Sequence, residues 1–95
     1  MSEKSAHERR LVHFGGQVQG VGFRYTARLV SAGFDVTGYV QNLADGRVRL
    51  VAEGAADELD RFLDELRGRM AGYIREVQSE TGPANGEFDD FEIRH

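Results

Sequence analysis

The chain is predicted to be one α+β domain in which two helices cover one face of a mostly antiparallel sheet. Three observations predict it. Ninety-five residues suit a single domain that buries roughly 60–65% of its unfolded surface around one core. Apolar and polar residues alternate in three segments, whereas two others repeat at helical spacing. The segments follow one another as strand, helix, strand, strand, helix, strand, with a short strand appended, which is the order of a split βαβ unit.

Residues 1–9 are expected to form a disordered leader, with the domain spanning residues 10–95. Leu11-Val12-His13-Phe14 opens the first strand, in which Val12, Phe14 and Val18 share one parity and His13 and Gln17 the other. Phe23 to Ala32 reads as a helix: Phe23, Ala27, Val30 and Phe34 recur at helical spacing, and Gly33 is a stop signal. Val36 to Asn42 alternates again, with Val36, Gly38, Val40 and Asn42 on the face taken as the inner one. Asp45-Gly46 signals a hairpin, after which Val48, Leu50 and Ala52 share one side of Arg47 to Glu53. The second helix carries Leu59, Phe62, Leu63, Leu66 and Met70 as one apolar stripe. Asp57 and Glu58 lie in its first turn and Arg67 and Arg69 near its end, which suits the helix dipole. Tyr73 to Glu80 alternates poorly and is expected at a sheet edge. Thr81 to Gly86 reads as a loop, and Phe88, Phe91 and Ile93 as a short last strand. The whole matches the ferredoxin-like βαββαβ sandwich plus a short C-terminal strand, an architecture that does not by itself give function.

Composition narrows the functional classes. The absence of cysteine excludes disulfides, thiolate metal sites and a cysteine nucleophile, and is compatible with the cytoplasm, the expected location. Met1 to Arg10 has no apolar core and reads as no signal peptide. No apolar run approaches the ~20 residues that span a membrane, so no membrane partner is expected. A net charge of −4 opposes nucleic-acid binding, whose affinity comes largely from neutralised phosphates. The charge is uneven: residues 1–50 hold seven basic and four acidic residues, and residues 51–95 five and twelve. A small anion is therefore favoured by the first half. Without an obvious apolar surface stripe, a monomer is expected.

The run Gly16-Gln17-Val18-Gln19-Gly20-Val21-Gly22-Phe23-Arg24 carries the chemistry. A tight glycine-containing loop after a strand can point successive N–H groups into one concavity, and the following helix start adds positive potential. Arg24 adds a planar, permanently charged fork suited to phosphate oxygens. The segment is not a Walker loop, because Val21 and Gly22 follow Gly20 where lysine and a hydroxyl are needed. Nor is it a dinucleotide fingerprint, because Tyr25 stands where the last glycine belongs. What remains is a loop for a small phosphate group.

That run, followed by Gly38-Tyr39-Val40-Gln41-Asn42 and then Gly46, Val48 and Gly54, resembles the acylphosphatase family, as does the ending Phe88-Asp89-Asp90-Phe91-Glu92-Ile93. The resemblance covers roughly residues 10–95. It implies hydrolysis of the carboxyl–phosphate bond of small-molecule acyl phosphates with no metal and no cofactor. It implies that Arg24 binds the phosphate with the backbone N–H groups of Gln19, Gly20, Val21, Gly22 and Phe23, and that Asn42 orients the attacking water. A carboxylate leaving group needs little acid help, so no histidine is required. Because arginine stays protonated and asparagine does not titrate, no enzyme-derived limb is expected in the rate between about pH 5 and 8. The alternative is a phosphate or carbamoyl-phosphate binding module with little turnover, which could dispense with Asn42. An RNA-binding sheet would need exposed aromatics and basic surroundings, and only Tyr39 is a candidate.

Other residues have plainer readings. The Gln19 side chain is expected to bond the loop itself, and Phe23 to anchor the helix in the core. His13 reads as structural, His7 and His95 as residues of loose ends, and Arg47 and Arg49 as solvating the outer face. The sequence departs from the family pattern at Phe14, where an aliphatic residue is commoner, and at Gly68-Arg69-Met70-Ala71-Gly72, which lacks the usual proline.

Overall fold

The structure, a computed structural model, describes residues 7–95. It contains β1 (His7–Gly16), α1 (Phe23–Ser31), β2 (Thr37–Asn42), β3 (Val48–Ala55), α2 (Ala56–Arg69), β4 (Ile74–Pro83) and β5 (Phe91–Arg94). The expected order of elements is present, and the five strands form one sheet in the order β4-β1-β3-β2-β5. All neighbours are antiparallel except β2 and β5.

Two boundaries differ from expectation. Residues 1–6 of the expected leader lie outside the described residues, but His7–Arg9 already belong to β1, paired with Ala55, Gly54 and Glu53 of β3. Arg9 and the neighbouring Arg10 are held by partners distant in sequence. Arg9 Nη1 lies 3.0 Å from Glu53 Oε2, and Arg10 Nη1 lies 2.9 Å from Asp60 Oδ1. The second difference is β4, an edge strand as expected, which continues through Thr81-Gly82-Pro83 where a loop was read. Pro83 is tolerated because an edge strand leaves one side of its backbone unpaired.

The helices supply the apolar half of the sandwich. Leu59, Phe62, Leu63, Leu66 and Met70 of the predicted stripe are all buried, as are Phe23, Ala27 and Val30 of α1. They meet the inner row of the sheet: Val12, Phe14, Val40, Val48, Leu50 and Ala52. Aromatic contacts tie the layers together. Phe62 of α2 packs edge-on to Phe91 of β5 at 5.4 Å, and Phe14 of β1 lies 4.9 Å from Phe23 of α1. The unusual Phe14 is thus a core residue that fixes the start of α1. Gly38 permits the close approach of β2 and β3, since its φ is 145° and a Cβ there would collide with the Val51 carbonyl.

On the outer face, Glu53 is 4% exposed. It accepts hydrogen bonds from the backbone N–H groups of Asn85 (3.2 Å) and Gly86 (3.0 Å) and from Arg9. Burial alone would raise its carboxyl; these donors outweigh burial and hold it below the ordinary carboxylate range. Tyr39 is not free for stacking, because the Arg94 guanidinium lies 3.9 Å from its ring centroid and Phe88 packs against it at 5.9 Å.

Candidate active site

Strand direction brings three segment ends to one rim of the sheet. β1 and β2 are both antiparallel to β3, and β5 is parallel to β2. All three therefore run the same way, and Gly16, Asn42 and Arg94 finish together. The phosphate-loop candidate, residues 17–22, leads from this rim into α1.

The loop is held from both sides. The Gln17 N–H donates to the Tyr73 carbonyl at 2.9 Å. Gln19 Nε2 donates to the Leu43 carbonyl at 2.7 Å and to the Arg47 carbonyl at 3.0 Å, joining the loop to the turn that follows Asn42. The Gln19 side chain thus serves the loop, as its sequence context predicts. Gly20 and Gly22 have φ of 78° and 81°, a left-handed backbone that side chains strain. A Cβ at either would meet nothing within 4 Å, so glycine is needed for conformation and the main chain lies open. The first helical hydrogen bond runs from Thr26 N–H to the Gly22 carbonyl at 2.9 Å. Among the described residues, no backbone carbonyl accepts from the N–H groups of Gln19 to Phe23. No acidic residue stands in the first turn of α1, where one would offset the positive end of its dipole.

Arg24, Asn42, Gly20, Gly22 and Phe23 line one pocket of about 200 Å3, together with Val18, Tyr25, Ile93 and His95. Arg24 is its permanent charge, and no carboxylate side chain lines it. Gln19 and Val21 are not on its wall; Val21 packs against the core. Asn42 sits at the end of β2 opposite Val48, with its inner parity as predicted. Such a pocket can seat a tetrahedral anion on main-chain amides and a guanidinium, with a carboxamide beside it.

His95 and the Arg94 carbonyl were missed in the sequence. Arg24 Nη1 donates to the Arg94 carbonyl at 3.1 Å and lies 3.3 Å from His95 Nδ1. The imidazole of His95, expected at a loose end, stands instead on the wall of the pocket. His13, in contrast, does not line this pocket. Arg49 Nε donates to its Nε2 at 3.2 Å. Burial first, then the charges of Arg47 and Arg49, lower its basicity below the ordinary imidazole value.

A model of the family described as Acylphosphatase matches residues 11–93. The acylphosphatase of Paenarthrobacter aurescens is 44% identical over 79 residues, which cover 82% of this chain and 84% of that protein. The acylphosphatase of Thermotoga maritima is 43% identical over 81 residues, covering 84% of this chain and 89% of that one. Among solved structures, the acylphosphatase of Bacillus subtilis superposes with a TM-score of 0.80 at 26% identity, over 94% of this chain and 99% of that one. An acylphosphatase from Coxiella burnetii superposes with a TM-score of 0.79 at 29% identity, over 94% of each chain.

Proposed function

This chain belongs to the acylphosphatase family and is an acyl phosphate hydrolase; from that premise we propose how its residues divide the work. The observation that carries the proposal is the pocket that Arg24 and Asn42 share with Gly20, Gly22 and Phe23, whose N–H groups meet no backbone carbonyl among the described residues.

The substrate phosphoryl group sits in the loop, its oxygens on the N–H groups of Gly20, Gly22 and Phe23, which line the pocket, and on the Arg24 fork. Asn42 holds a water through its carboxamide, in line with the phosphorus and opposite the carboxyl oxygen. Water oxygen bonds to phosphorus as the bond from phosphorus to the carboxyl oxygen breaks. The carboxylate leaves with the bonding pair, and the water proton passes late to a phosphate oxygen. The transition state is loose and its charge rests on oxygens, so positioning and charge stabilisation supply most of the acceleration. Preorganised amides and a fixed guanidinium provide both. The leaving carboxylate is a weak base, with a conjugate acid near pKa 4–5 by analogy with side-chain carboxyls, and departs unprotonated.

We read the protein as a cytoplasmic monomer, on its cysteine-free sequence and small single domain. The direct test is release of inorganic phosphate from benzoyl phosphate by purified protein in excess EDTA. Turnover that survives EDTA supports a reaction run by these side chains; turnover abolished by EDTA and restored by a divalent ion would sink it.

A further inference from the structure

Residues 84–90 join β4 to β5, and these two strands form opposite edges of the sheet. The connection therefore crosses β1, β3 and β2. Four strand spacings are about 19 Å, and seven extended residues reach roughly 23–25 Å, so the crossing has little slack. Its middle is pinned to the central strand. Glu53 of β3 accepts from the N–H of Asn85 on Oε2 and from the N–H of Gly86 on Oε1. Arg9 bridges Glu53 Oε2 at 3.0 Å and Glu87 Oε1 at 3.5 Å, and its guanidinium lies 5.4 Å from the centroid of the Phe88 ring. Beyond this anchor the strap leads to the pocket. Phe88 packs on Tyr39 of β2, and Arg94 of β5 stacks on the same tyrosine while lying 5.9 Å from the Phe88 ring. The Asp90 carbonyl accepts from Gly38 N–H at 2.9 Å. Strand β5 then presents the Arg94 carbonyl to Arg24.

We propose that Glu53 is a positioning residue for Arg24: by fixing the middle of the strap, it sets where β5 offers the Arg94 carbonyl to the guanidinium. This rests on the reading of Arg24 as the phosphate-binding residue. Glu53 does not line the Arg24 pocket and acts only through the chain that joins them. Nor is net stability a sufficient reason for a charge that is 4% exposed, since desolvation offsets much of what its partners return. What its bonds fix is the place of a short, taut connection. Glutamine at this position keeps the shape but replaces one oxygen with an NH2 group, a donor facing donors. At least one bond to the strap or to Arg9 is then lost. The slack passes along the strap to β5, and the Arg24 fork is held less firmly where phosphate oxygens arrive.

The test measures kcat and KM for benzoyl phosphate, and the inhibition constant of inorganic phosphate, in wild type, Glu53→Gln, Phe88→Leu, Leu63→Ala and Arg24→Ala. Leu63, in α2, lies outside the pocket and controls for lost stability alone. Glu53→Gln is expected to raise both KM and the inhibition constant about fivefold, the scale of one lost hydrogen bond on Arg24, with kcat within twofold of wild type. Phe88→Leu loosens the strap past Glu53 and should raise the same two constants by a smaller factor. Leu63→Ala should leave both constants unchanged, because unfolded molecules lower only the amount of active enzyme. Constants within 1.5-fold of wild type in Glu53→Gln overturn the proposal, as does an equal rise in Leu63→Ala. If Glu53→Gln does not fold, Phe88→Leu decides by the same criterion. Arg24→Ala with wild-type constants would instead overturn the underlying reading of the pocket, and this proposal with it.

Discussion

Gln19 and Leu43 are joined by a hydrogen bond of 2.7 Å from the Gln19 carboxamide to the Leu43 carbonyl, across 24 positions of sequence. The same nitrogen reaches the Arg47 carbonyl at 3.0 Å. One side chain thereby fixes the distance between the phosphate loop and the end of β2 that carries Asn42. Gln19→Leu removes both bonds and is expected to cost about 1–2 kcal/mol of stability. Gln19→Glu should cost more, because a carboxylate would face two carbonyl oxygens. Denaturant melts of the three proteins, set beside KM for benzoyl phosphate, check both orders.

Arg24 and Asn42 should separate kinetically. Arg24→Ala removes the permanent charge of the pocket and is expected to cost about 3–4 kcal/mol of transition-state stabilisation, on the scale of a lost oxyanion donor. Arg24→Lys should rescue little, since an ammonium lacks the planar fork. Asn42→Ala should lower kcat while inorganic phosphate still inhibits at near wild-type concentration. Full turnover in Asn42→Ala would remove the water-positioning role.

His95 brings an imidazole within 3.3 Å of Arg24, beside the Arg94 carbonyl that accepts from the same guanidinium at 3.1 Å. His95→Ala is expected to raise KM for benzoyl phosphate while kcat stays near wild type, because the Arg24 fork loses one of the groups that hold it. An unchanged KM would show that the Arg94 carbonyl holds the fork without the imidazole.

Two glycines should respond differently to alanine. At Gly22 the space is open and only the left-handed backbone is strained. Gly22→Ala is therefore expected to cost about 1–2 kcal/mol, felt mostly as a displaced loop and a raised KM. At Gly38 the added carbon meets the Val51 carbonyl on the neighbouring strand. Gly38→Ala must push β2 from β3, and should lower Tm well beyond the Gly22 variant. Thermal melts and KM measured on both variants decide the contrast.

Acid should weaken the fold in two stages. Burial and the charges of Arg47 and Arg49 keep the folded His13 imidazole below its ordinary value of 6.5. The unfolded chain therefore binds that proton first, so the His13 contribution is whole above about pH 6.5 and is lost as pH falls. The Glu53 carboxyl is held below the ordinary carboxylate range by Asn85, Gly86 and Arg9 against the opposing effect of burial. Its contribution is whole above that range and is lost as pH falls through it toward the folded value. Tm against pH in His13→Gln should lose the upper stage, and in Glu53→Gln the lower.

Local pattern carried much of this fold. The α2 stripe, the inner parity of β2 and the edge position of β4 all follow from spacing that one segment displays on its own. The start of β1 did not, because Glu8, Arg9 and Arg10 look like solvated leader until Glu53 and Asp60 arrive from elsewhere in the chain. The site divides the same way. Arg24, Asn42 and the loop glycines sit in motifs readable in a line. His95 has no such context, and only the parallel pairing of β5 with β2 delivers it to Arg24.

That pairing also decides what a shortened chain can hold. Arg24 meets His95 across 71 positions, and β5 lies beside β2. A chain cut before residue 91 keeps the Gly16–Arg24 motif and the Asn42 strand end, yet its guanidinium has no Arg94 carbonyl to lean on and its pocket lacks the wall of Ile93 and His95.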